Sequence, residues 1–97
     1  MDYTDTYKEQ LLPIIFKYLP KCKIYLFGSR AAQSARSGSD IDLGLDAGEP
    51  IEWKKIVNIQ NDIDESTIPV YVDLIDMHSA PESFKTEILK KGIIWNP

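Results

Sequence analysis

The chain has 97 residues, 43% of them hydrophobic and 27% charged, the balance of one globular domain with a single core. Lys and Arg number 11 against 15 Asp and Glu, so the formal net charge is −4, which speaks against clamping duplex nucleic acid through its phosphates. One Cys and one His exclude an internal disulfide framework, a multi-thiolate zinc site and His-rich metal ligation. The opening MDYTDTYKEQ has neither the basic region nor the apolar stretch of a signal peptide. No apolar run approaches the roughly 20 residues of a membrane span, and a cytoplasmic protein without membrane contact is expected.

Leu11, Leu12, Ile15, Phe16 and Leu19 recur at helical spacing and predict a first helix over residues 4–19. Pro13 either kinks that helix or starts a shorter one, and Pro20 ends it. Residues 22–27 read as a buried strand that Gly28 ends sharply, with Ser29 placed to open a helical turn. Residues 30–39 are linker-like, rich in Ser and Ala. Residues 40–46 alternate strictly: Ile41, Leu43 and Leu45 share one strand face, and Asp40, Asp42, Gly44 and Asp46 share the other. Pro50 suits the first turn of a helix over 50–64 whose apolar stripe is Trp53, Ile56, Val57 and Ile63. Residues 69–76 form a third strand with Val70, Val72 and Leu74 inward and Tyr71, Asp73 and Ile75 opposite. A last helix over about 80–91 has Ser79 and Glu82 as a capping box and Gly92 as its stop, and Ile93, Ile94 and Trp95 follow as a short strand. Helices alternating with short strands indicate α/β (α+β) layering in one domain over residues 1–97.

Three features bear on chemistry. Gly28-Ser29, directly after a strand, lets a phosphate approach the backbone without meeting a side chain; taken alone it is as well read as a plain turn. Asp40-Ile41-Asp42 puts two carboxylates on one strand face, their Cα atoms roughly 6.6 Å apart, where they repel unless a hard divalent cation such as Mg²⁺ neutralises them. A solvated strand edge is the plain alternative, although Asp is depleted in strands and Asp40, Asp42 and Asp46 gather on one face. Asp73, set among Val70, Tyr71, Val72, Leu74 and Ile75, must be paired, solvated or metal-bound. If the sheet sets it beside Asp42, three carboxylates converge, an arrangement able to hold two metals for in-line nucleotidyl transfer.

Together, Leu26-Phe27-Gly28-Ser29-Arg30-Ala31 and Ser39-Asp40-Ile41-Asp42-Leu43, followed by a strand Asp, resemble the minimal nucleotidyltransferase (MNT) family of the DNA polymerase β superfamily. The resemblance implies a nucleotidyltransferase fold, a small mixed sheet with helices packed against it. It makes Asp40, Asp42 and Asp73 the catalytic, metal-binding acids, with Mg²⁺ as cofactor. It makes Gly28 and Ser29 the residues that hold a nucleoside triphosphate; Arg30 and Ser39 are further nucleotide-binding candidates, with a solvated loop arginine as the plain alternative for Arg30. It also implies a HEPN-domain partner, for which small members act as antitoxin, some by transferring AMP from ATP onto a partner tyrosine. The chain departs from the commonest family form at Ala32 and Gln33, where many members carry Arg and Gly; Arg36 is the candidate substitute.

About 20 residues follow the third strand, too few for a domain that encloses the base, so a partner is expected to complete the site and the chain alone to bind nucleotide weakly, with little preference among bases. Self-association is the competing use of an exposed apolar surface such as Ile93-Ile94-Trp95. A non-catalytic module that neutralises its HEPN partner by contact is the rival from another class. Plainer roles are expected of His78 as a polar loop residue, Cys22 as a small buried hydrophobe, Trp53 and Trp95 as core or interface, and Asp46 and Asp76 as strand-end residues facing water.

Overall fold

The structure is a computed structural model that describes residues 3–32 and 38–96. Helix α1, Thr4–Tyr18, carries Pro13 within its length and buries Tyr7, Leu11 and Ile15 at i, i+4 and i+8. The proline therefore neither ends nor starts the helix, because its ring lies on the exposed side and the buried stripe runs past it. Strands β1 (Lys23–Phe27) and β2 (Ile41–Asp46) pair antiparallel, with Leu26 opposite Leu43 and Phe27 opposite Asp42. Helix α2, Trp53–Asp64, crosses over to strand β3, Val72–Asp76, which runs parallel to β2. Helix α3, Glu82–Lys91, returns the chain to β4, Ile93–Ile94, antiparallel to β1. The sheet order is β3-β2-β1-β4, a mixed sheet as expected.

The two faces of the sheet differ in chemistry. On one, Ile24, Leu26, Ile41, Leu43, Leu45 and Val72 pack against Leu11 and Ile15 of α1 and Ile59 and Ile63 of α2, all nearly or wholly excluded from water. Each such side chain contributes about 1.5–3 kcal/mol of transfer free energy. The other face carries Tyr25, Phe27, Asp42, Gly44 and Asp73, and α3 covers part of it, through Ile88 against Tyr25 and Met77. Gly44 makes that approach possible: a Cβ there would sit 3.1 Å from the Met77 sulfur and 3.3 Å from Ile88.

Several sequence expectations are corrected here. β3 starts at Val72 and α2 at Trp53, each three residues later than expected. Trp53 is 70% exposed and Val57 41%, outside the stripe formed by half-buried Ile56 with Ile59 and Ile63. At about 100° per residue Trp53 lies roughly a quarter of a turn, and Val57 roughly a third, from the stripe's centre. No capping box forms at α3, whose N-cap is Pro81; the Ser79 hydroxyl donates instead to Asp76 at 2.9 Å, in the turn after β3. Trp95 is buried at 4% exposure, whereas Ile93 and Ile94 beside it stay open. No described helix is long and apolar enough to cross a membrane.

Candidate active site

Antiparallel pairing sets the end of β1 against the start of β2, so Phe27 faces Asp42 and the chain must turn at Gly28 beside an acid. Gly28 has φ +75°, a left-handed conformation that L side chains rarely adopt. A Cβ on it would overlap the Asp42 carboxylate, so the backbone favours glycine and any other residue would also displace that carboxylate. The turn then closes on itself: the Ala32 amide donates to the Gly28 carbonyl at 3.1 Å, and Ser29 sits half-buried within it. Ser29 thus stands in one turn of helical backbone immediately after the strand.

Parallel pairing supplies the second half. Asp42 and Asp73 are register partners on β2 and β3, so both side chains leave the same face from adjacent strands. The ladder begins just before them, where the Ile41 amide donates to the Tyr71 carbonyl at 2.9 Å. Asp40 lies one residue outside β2 and is exposed. Loss of water around the Asp42 carboxyl, then the Asp73 charge, then the Asp40 charge hold its pKa above the usual carboxylate value. Asp42 therefore senses both other acids. Even so, among the described residues no three His, Cys, Asp or Glu side chains are gathered tightly enough to hold a metal ion. The in-register pair Asp42 and Asp73, oxygen donors mutually repelled and half-buried, fits one hard divalent cation; Asp40 stands beside that pair rather than in it.

Arg30 has a different place from the phosphate contact expected of it. It is 3% exposed. Its Nε and Nη2 donate to the Ser39 carbonyl at 3.1 and 2.8 Å, its Nη1 donates to the Thr4 hydroxyl at 3.0 Å, and the guanidinium lies 5.5 Å from the centre of the Tyr7 ring. The arginine thus ties the residue before Asp40 to helix α1. Ser39 takes part through its backbone carbonyl. Thr4 and Tyr7 were invisible as partners in the sequence, where they read only as helix residues. Gln33 and Arg36 lie outside the described residues.

Asp46 and Asp76 end β2 and β3 and stay half-exposed, and they also hold the loops that follow. Asp46 accepts from the Gly48 amide at 3.0 Å and meets His78 Nε2 at 3.0 Å. Asp76 accepts from the amides of Ile51 and His78, both at 3.0 Å, and from Ser79. These bonds tie down the loops at the far ends of β2 and β3. Cys22 is a buried thiol as expected, its pKa pushed up to about 12 chiefly by burial.

The chain matches the family described as polymerase beta, nucleotidyltransferase, over residues 9–95. It is 32% identical over 78 residues to a Haemophilus influenzae protein named as a probable protein adenylyltransferase, MntA, an alignment covering 80% of this chain and 68% of that one. A Methanocaldococcus jannaschii protein, also described as a protein adenylyltransferase, is 30% identical over 79 residues, 81% of this chain and 79% of its own. Among solved structures, a toxin–antitoxin complex with AMP-PNP superposes with a TM-score of 0.79 at 22% identity, covering 92% of this chain and 72% of that one. A structure described as a minimal nucleotidyltransferase superposes with a TM-score of 0.75 at 21% identity, covering 96% of this chain and 95% of that one.

Proposed function

We propose, for a chain that belongs to the polymerase β nucleotidyltransferase family, that it transfers AMP from ATP to a hydroxyl acceptor, a tyrosine of a HEPN-domain partner, and so acts as the antitoxin of a toxin–antitoxin pair. The observation that carries this reading is the Gly28 turn packed against Asp42, with Asp73 in register beside it. In this reading the whole chain is one cytoplasmic domain. Gly28 leaves open backbone for the triphosphate, and Ser29 offers its hydroxyl and amide in the turn. Arg30 acts from behind, holding Ser39 and thereby the entry to Asp40. Asp73 is placed to orient the attacking hydroxyl. That oxygen forms its bond to the α-phosphorus as the bond to the bridging oxygen breaks, and pyrophosphate leaves with the electron pair. Asp42 and Asp73, with Asp40 beside them, are the residues that would hold Mg²⁺, which when bound offsets charge developing on the phosphates.

The known relatives support the acceptor and partner: one solved structure of this fold is a tri-AMPylated Shewanella oneidensis HEPN toxin in complex with an MNT antitoxin. Incubation of the chain with its HEPN-domain partner, ATP and Mg²⁺, followed by intact mass of both proteins, tests the reading. Added AMP on the partner, lost in Asp42→Asn, is the expected result; an unmodified partner refutes transfer. Neutralisation by contact alone is the second reading, favoured by one observation, the absence of a three-acid cluster among the described residues. An unmodified partner that is still inhibited in the complex would establish it.

A further inference from the structure

Tyr71 stands directly beside the acids, and AMP transfer to a partner gives its side chain no task. Its carbonyl accepts from the Ile41 amide at 2.9 Å, so the ladder between β2 and β3 already includes this residue. Ile41 pairs with Val72 and Asp42 with Asp73, which puts Tyr71 one step earlier, level with Asp40 on the neighbouring strand. Side chains two residues apart on a strand leave the same face, with Cα atoms roughly 6.6 Å apart. Tyr71 therefore shares the face of Asp73, while Val72 between them is wholly buried in the core on the other. The Tyr71 side chain is 58% exposed, and among the described residues its hydroxyl has no hydrogen-bond partner. The chain has four other tyrosines, and each is set aside by place or by partner. Tyr7 is buried with the Arg30 guanidinium over its ring, and Tyr25 is buried beside Ile88. Tyr18 donates its hydroxyl to Asp62 at 2.7 Å. Tyr3 is exposed but precedes α1, the helix that packs against the opposite face of the sheet.

We infer that Tyr71 is an acceptor for the chain's own nucleotidyl transfer, so that the protein, with no partner hydroxyl in place, adenylylates itself at this residue. The inference rests on the reading of Asp42 and Asp73 as the acids of AMP transfer from ATP, and it adds a second acceptor within the same molecule. The Tyr71 phenol oxygen forms a bond to the α-phosphorus of ATP. The bond from that phosphorus to the bridging oxygen breaks, and pyrophosphate leaves with the electron pair. The phenolic proton passes to the Asp73 carboxylate and from there to water. Asp73, two positions along the same strand, orients this phenol in the role it has toward the tyrosine of a partner. Acceptor and acids belong to one strand pair, so the step is unimolecular once ATP is bound and needs no docking of a second protein.

The test incubates the full chain with ATP and Mg²⁺, alone and in parallel with its HEPN-domain partner, and reads intact mass and peptide maps of both proteins. Wild type alone should acquire an adenylyl group that maps to Tyr71. Tyr71→Phe, which removes only the hydroxyl, should stay unmodified, and Tyr3→Phe should be modified as wild type is. The map of wild type identifies the acceptor by itself, so the inference does not depend on a variant folding. The first-order rate constant should be unchanged when the chain is diluted about tenfold, because acceptor and acids share one molecule. An adenylyl group on another residue, modification that persists in Tyr71→Phe, or a rate constant that falls in proportion to dilution would each overturn transfer to Tyr71 within one chain. An unmodified chain whose partner does acquire AMP overturns this inference and leaves the proposed function standing. Absence of AMP from both proteins overturns the two together.

Discussion

Replacing Asp42 by Asn keeps the side chain's shape and removes one of two charges that face each other across a parallel strand pair. Adjacent strands lie about 4.8 Å apart. At that separation two unit charges repel by about 0.9 kcal/mol at an effective dielectric constant of about 80, and by about 1.7 kcal/mol at about 40. The half-buried setting of both residues places the site in that range. Asp42→Asn should therefore stabilise the metal-free chain by about 1 kcal/mol at low salt, raising Tm by roughly 4–8 °C for a domain of this size. The pH dependence has a definite sign. Asp42's folded pKa is raised, so between the usual carboxylate value and the raised one the native state holds more protons than the unfolded state. Wild-type stability accordingly gains as pH falls through that window, and the variant lacks this gain. Millimolar Mg²⁺ should stabilise wild type by mass action and the variant much less. Thermal melts in EDTA and in Mg²⁺, from neutral pH into the carboxylate range, measure all three. A variant no more stable than wild type in EDTA at neutral pH, or an identical Mg²⁺ response in both, refutes the reasoning.

Gly28→Ala should cost about 1–2 kcal/mol for the left-handed backbone and, by displacing the Asp42 carboxylate, about 100-fold in transfer rate; full activity in a folded variant would contradict the packing argument. Gly44→Val should cost about 1–3 kcal/mol in urea titrations, because Met77 and Ile88 must yield, with α3 exchanging its amides faster than α1. Asp46 is held below the usual carboxylate range first by the Gly48 amide and then by His78. Its stabilisation is present above the unfolded carboxylate value and is lost as pH falls through the folded one, so Asp46→Asn should flatten the acid limb of the stability curve. Arg30→Ala should cost about 1–3 kcal/mol by leaving the Ser39 carbonyl and the Thr4 hydroxyl without this donor, measured as a drop in the urea midpoint.

The second strand was the most legible part of the molecule, because its period-2 pattern allowed only one face for Ile41, Leu43 and Leu45. From that followed the face of Asp42 and, through the Gly-Ser turn, the neighbourhood of the site. Asp73 was a different matter. It reaches Asp42 through a parallel crossover, and nothing in the local pattern of residues 69–76 states which strand lies beside it; the family resemblance supplied the pairing. The burial of Arg30 was illegible for a related reason, since its partners Thr4 and Ser39 stand 26 and 9 positions away. Arginine in a loop rich in Ser carries no sign that it will be buried. The stripe of α2 failed at Trp53 and Val57 because both sit on the helix away from the line of Ile56, Ile59 and Ile63, and Ile59 was left out of the expected stripe. Gly44 had a readable signal: a glycine inside an otherwise well-formed strand marks a close approach, and α3 makes it.

The strand that closes the sheet beside β1 is only two residues long, yet β1 is not left with a raw edge. The Trp95 amide donates to the Ile24 carbonyl at 2.8 Å, the Asn96 side chain accepts from the Ile24 amide at 2.8 Å, and the same side chain donates to the Cys22 carbonyl at 2.7 Å. A carboxamide carries the donor and the acceptor of a peptide group, so Asn96 serves as one more rung of a strand that the backbone does not extend. The consequence is colloidal rather than catalytic. Ile93 and Ile94 expose apolar surface at this border, and a free ladder beneath them would template a second molecule. With the rungs at Cys22 and Ile24 occupied, a neighbouring chain meets greasy side chains here, and among the described residues of this border the only strand left to template it is the two residues of β4.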